Sequence, residues 1–129
     1  MAYSGTATVV KRVINGRAHF RVSIPETEAG AATEATISGV PVFGKVVRQI
    51  VVHDSGSGST VDPILGQATN PSGASVVVEN DTAAATVDNT PADGATYYSP
   101  AGILYHRSVC DSGSDNSVTV RYHIVEGWE

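Results

Sequence analysis

The first stretch of this chain alternates between apolar and polar positions. Residues 6–14 (TATVVKRVI) and 17–24 (RAHFRVSI) flank Asn15-Gly16. An Asn-Gly pair between two such runs predicts a hairpin, because a type I′ turn needs positive φ at both central positions. In the second run Ala18, Phe20, Val22 and Ile24 share one face, and Arg17, His19, Arg21 and Ser23 share the other. That pattern predicts a strand buried on one side and wet, or turned to a partner, on the other. Residues 25–33 read as a polar loop with room for a helical turn or two, and 34–40 as a short strand broken by Gly39-Val40-Pro41. Residues 45–53 (KVVRQIVVH) are the most apolar run and predict a central strand. Val46-Val47 and Val51-Val52 break its alternation, which implies burial on both faces or a bulge.

Residues 54–60 (DSGSGST) read as a turn, and 61–66 (VDPILG) lead into a loop through 70–73. A strand follows at 74–79 (ASVVVE). Residues 80–96 are small and polar with one short strand near Thr86-Val87, the character of a contact arm. The last third predicts a second hairpin, with 103–110 (ILYHRSVC) and 118–126 (VTVRYHIVE) flanking a polar turn at 111–117. Seven or eight strands with turn signals between them predict an all-β fold, a single-domain antiparallel sandwich or barrel over residues 1–129. Its appendages would be a short N-terminal arm (1–5) and the polar segment 80–96.

Composition sharpens this. Nineteen valines, seven isoleucines and twelve threonines stand against two leucines. Side chains stiff at χ1 suit a pleated surface and disfavour helices. A net charge of −5, with the eight cations scattered apart from Lys11-Arg12, argues against a nucleic-acid partner. The single cysteine, Cys110, rules out an intrachain disulfide. The N-terminal residues lack the charged and apolar regions of a secretory signal, and no apolar run is long enough to span a membrane.

Chemistry is sparse. His19, His106 and His123 fall on strands and His53 ends one, without the usual spacing of zinc ligands. His106 and His123 would meet across the C-terminal hairpin, giving two ligands at most. The 111–117 turn has the alternate oxygens of a calcium loop but no closing glutamate, and reads better as a β-turn. No Gly-x-Ser-x-Gly elbow or phosphate loop is present, and His53-Asp54-Ser55 are adjacent residues whose side chains diverge. The sequence therefore predicts no enzyme, metal, cofactor or small-molecule substrate.

The compact start MAYSGTATVVKRVINGRAHFRVSI, the Ala/Thr/Gly/Ser/Val bias, the VDPILG loop and the ending YHIVEGWE resemble small virion proteins of tailed bacteriophages. The likeness is greatest to head decoration (cement) proteins. The resemblance implies a β-rich protein assembled in the host cytoplasm, residing in the virion and clamping the major capsid protein from outside, often as a homotrimer. Interface candidates are Ala2 and Tyr3 in the arm, Asp81 and Thr82 in the polar segment, and Tyr97, Tyr98 and Trp128 as aromatic anchors. A tail, neck or fibre component is the alternative within the virion. A monomeric β-sandwich module binding carbohydrate or protein is the alternative outside it.

Overall fold

The computed structural model describes residues 2–4, 7–26, 32–53, 61–69, 71, 75–79, 87–89, 95–110 and 118–127. They form two β-sheets. The strands are β1 (Ala2–Ser4), β2 (Thr8–Ile14), β3 (Arg17–Glu26), β4 (Ala32–Ser38), β5 (Phe43–His53), β6 (Val61–Gly66), β7 (Val76–Glu79), β8 (Val87–Asn89), β9 (Ala95–Tyr98), β10 (Ile103–Cys110) and β11 (Val118–Glu126). One sheet runs β1-β4-β10-β6-β7, and the other β2-β3-β11-β5-β8 with β9 also on β5. All pairings are antiparallel except β1 with β4. The fold is all-β as expected, and of the two architectures the sequence left open it is the sandwich. The strands not anticipated are β1 and β9, three and four residues long and too short to show a period of two, and β6, six residues interrupted by Pro63.

The core lies between the sheets. Phe20, Val22 and Ile24 of β3, Val46 and Val51 of β5, and Val120, Tyr122 and Ile124 of β11 enter it from the six-stranded sheet. Ile37, Leu65 and Leu104 enter from the other, and both leucines of the chain are fully buried there. A small polar cluster joins the layers. His106 Nδ1 lies 2.9 Å from the Tyr122 hydroxyl, and Gln49 Nε2 donates to that hydroxyl and to the Pro63 carbonyl, each at 3.2 Å. Burial of these groups is tolerable because they satisfy one another. Ser108 Oγ is buried with no partner among the described residues.

The N-terminal hairpin is as the sequence dictates, with Asn15 at φ 52° and Gly16 at φ 75°. The disturbance at Val46-Val47 is a bulge: His123 pairs with Arg48 while Ile124 pairs with Val46, leaving Val47 extra.

Four expectations are corrected. The N-terminal arm is not free, since Ala2–Ser4 pair with Ala32–Glu34. VDPILG is a strand rather than a loop. Pro63 is accommodated because β7 begins pairing one residue later, at Ile64, so its missing N–H removes nothing from that ladder. Of segment 80–96, residues 87–89 and 95–96 are paired to β5 rather than projecting as an arm. The C-terminal hairpin does not form: β10 and β11 lie in opposite sheets. Both strands bury alternate positions, a requirement that facing sheets meet as well as neighbouring strands do.

Candidate functional site

The outer face of the six-stranded sheet carries the strongest concentration of chemistry. On β3 the inward set is Ala18, Phe20, Val22 and Ile24, so Arg17, His19, Arg21 and Ser23 point outward. Register then fixes the neighbours. Arg12 of β2 stands opposite His19, and Val10 opposite Arg21. His123 of β11 stands between Arg21 of β3 and Arg48 of β5, while Arg121 lies between Ser23 and Ile50. The bulge at Val47 keeps Lys45 on this face, opposite Val125.

Six of the eight cations therefore share one face: Arg12, Arg17, Arg21, Lys45, Arg48 and Arg121. The reading of scattered cations is overturned. They are scattered in sequence but gathered by strand order, since residues from four strands come into adjacent rows. Among the described residues of β2, β3, β11 and β5 no carboxylate holds an outward register position, and Asp88 of β8 pairs with Ile50. Lys11 belongs to the inward parity, where its ammonium lies 5.8 Å from the Phe20 ring centroid.

At the centre, His19 Nδ1 and His123 Nε2 share a hydrogen bond at 2.9 Å, with ring centroids 5.2 Å apart. Such a bond requires at least one of the two nitrogens to be unprotonated. Burial lowers the pKa of His123 below the usual histidine value, with further lowering by His19 and then Arg48. The pair lines a groove of about 360 Å³ together with Arg12, Arg21, Arg48 and Arg121, and with Val10, Ile14 and Ile50 as apolar walls. Beside it, β2 is the edge of the sheet and leaves Val10, Val13 and Ile14 exposed.

The expected meeting of His106 with His123 does not occur. His106 faces the core from the opposite sheet and bonds Tyr122, and the partner of His123 is His19. Among the described residues no three His, Cys, Asp or Glu side chains converge as metal ligands. No helix among them is long and apolar enough to cross a membrane.

The interface candidates disperse. Ala2 and Tyr3 lie in β1, while Asp81, Thr82 and Trp128 fall outside the described residues. Tyr97 is a core residue, 2% exposed, and its hydroxyl donates to the Pro41 carbonyl at 2.7 Å. Desolvation raises its pKa far above the usual phenol value. The anchor role expected of it is therefore internal. Its neighbour Tyr98 has the opposite parity and stays exposed, its ring 4.8 Å from that of Phe43, which is exposed too.

No protein-family model matches this chain, and no curated protein is detectably similar. Among solved structures, the pre-peptidase C-terminal domain of collagenase from Bacillus anthracis aligns over 96% of this chain and 94% of its own, at 10% identity and a TM-score of 0.42. A CBM4 structure aligns over 90% of this chain and 73% of its own, at 14% identity and a TM-score of 0.35. The VP2 subviral particle of infectious bursal disease virus aligns over 94% of this chain and 32% of its own, at 10% identity and a TM-score of 0.42. Likeness at these levels assigns no role to this chain.

Proposed function

We propose that this chain is a structural protein of a tailed-phage virion, a head decoration protein that attaches to the outside of the major capsid lattice as a symmetric homotrimer. Its role is mechanical and non-enzymatic. The observation that carries the reading is the outer face of the six-stranded sheet. Cations gathered on one face of a chain with net charge −5 make a polarised surface suited to an acidic protein neighbour. On a symmetric oligomer, several such contacts of modest strength sum to durable attachment.

Co-sedimentation with genome-filled phage heads, together with the native mass of the free protein, tests the proposal. The expected result is saturable binding at lattice symmetry sites, lost on the double change Arg21→Glu and Arg121→Glu. A folded protein that leaves heads bare, or decorates them equally after charge reversal, overturns it.

A second reading draws on the exposed Phe43–Tyr98 pair. Two exposed aromatic rings in tilted contact suit a monomeric module that binds carbohydrate or protein. Retardation in gels containing soluble polysaccharide, abolished by Tyr98→Ala, would favour that module over the decoration protein.

A further inference from the structure

We infer that the hydrogen-bonded His19–His123 pair and its surrounding guanidinium groups form a carboxylate-binding site. Its occupant is an extended acidic segment of a protein partner, laid across the outer face of the sheet with its carboxylate in the groove. The inference rests on the attachment face proposed above and names what that face receives.

The geometry of the pair supplies the first argument. With both rings neutral, the bond between His19 Nδ1 and His123 Nε2 leaves one donor and one acceptor among the outer nitrogens. A single added proton keeps that bond and turns both outer nitrogens, His19 Nε2 and His123 Nδ1, into donors. A second proton breaks it. The singly charged pair is thus a two-donor cradle for an oxyanion.

The groups facing the pair oppose that proton while the groove is empty. They are Arg12 from β2, Arg17 and Arg21 from β3, Arg121 from β11, and Arg48 and Lys45 from β5. Asp88 of β8 pairs with Ile50, the groove's wall on β5. A carboxylate entering the groove reverses the balance, accepting bonds from guanidinium and imidazolium together. Ligand binding therefore draws a proton into the pair. The same positive surroundings disfavour a metal cation, for which two histidines are in any case too few.

The second argument identifies the ligand. The groove is walled on its β2 side by Val10, Arg12 and Ile14, a cation between two aliphatic groups on one face of the strand, and Arg21, Arg48 and Arg121 surround the histidine pair. Charge complementarity selects an acidic occupant. An extended peptide presenting a carboxylate flanked by aliphatic side chains complements that wall. Nucleic acid is the poorer occupant. The chain is acidic overall, and Phe20 and Tyr122, the aromatic side chains in the groove lining, are buried from base stacking.

The test is fluorescence anisotropy of the full chain with a labelled peptide repeating Val-Ser-Glu-Ser, whose one extended face alternates Val and Glu, at about pH 6 and about pH 8. Saturable binding is expected, about tenfold tighter at the lower pH. Calorimetry in buffers of different ionisation enthalpy should register uptake of about one proton per peptide. The double change of His19→Gln and His123→Gln should abolish the pH dependence, and Arg21→Gln should weaken binding about tenfold at both values. Equal binding of the same peptide with Gln in place of Glu overturns the inference, as does pH-independent affinity or tighter binding of an oligothymidylate of equal charge. The two proposals fail separately. Loss of head binding on charge reversal without peptide binding leaves the attachment face standing and removes the acidic segment. Peptide binding by a protein that leaves heads bare does the reverse.

Discussion

Tyr122 holds the two layers together chemically as well as sterically. Its hydroxyl is shared between His106 of the opposite sheet and Gln49 of the neighbouring strand. Removing it in Tyr122→Phe leaves two buried polar groups each short of a partner. The expected loss is about 1–3 kcal/mol in urea denaturation. His123 makes a different prediction. Its pKa is lower in the folded chain than in the unfolded one, so the unfolded state binds more protons in the interval between the two values. Stability is then full above the ordinary histidine value of about 6.5 and is lost as pH falls through it, levelling once the folded chain also takes up the proton. Unfolding midpoints measured across that interval should slope for the parent chain and flatten for His123→Gln. At this scale the sequence was legible where alternation alone decided the outcome, as for the buried and wet faces of β3. It pointed to His106 rather than His19 as the neighbour of His123, because His19 and His123 are brought together by a strand pairing that joins residues far apart in the chain.

Strands carry the next set of consequences. Tyr97 of β9 lies across Gly44 of β5, and a Cβ added at Gly44 would stand 2.5 Å from the Tyr97 ring. Gly44→Ala therefore expels the ring from its place and breaks its bond to Pro41, with an expected cost of about 1–3 kcal/mol. Tyrosine near-UV dichroism should report the displacement. The bulge makes the opposite prediction. Val47 is the residue with no register partner on β11, so deleting it leaves every other residue of β5 with its partner and its face. Positions 46 and 47 are both valine, so deleting either gives the same chain. Deletion of one valine should yield a folded protein with an unchanged near-UV spectrum. Deletion of Ile50 should not, because it reverses the parity of one half of the strand. The bulge was written in the sequence as two adjacent valines. The sheet order was not, since alternation says which face a strand buries and nothing about which strand lies beside it.

The whole molecule depends on that order. From β3 to β6 the chain passes from one sheet to the other at every step, and it crosses again between β7 and β8, β9 and β10, and β10 and β11. The basic face is one product of this weaving, built from β2, β3, β5 and β11 with the strands of the other sheet interleaved between them in sequence. The legible fraction of the site was accordingly its separate rows, the Arg17/His19/Arg21 set and the Arg121/His123 set, and the missing fraction was their adjacency. The weaving also governs how the chain comes to be folded. Neither sheet can assemble from a contiguous stretch, so no nascent N-terminal portion is a finished unit, and closing distant pairings must precede most of the stabilising burial. Refolding should take milliseconds to seconds, the regime of β-sandwiches built on non-local pairings. Stopped-flow tyrosine fluorescence, with Tyr97 and Tyr122 buried in the core, should show one phase, and chains halted before β11 should remain protease-sensitive, because β11 joins β3 to β5 in the larger sheet.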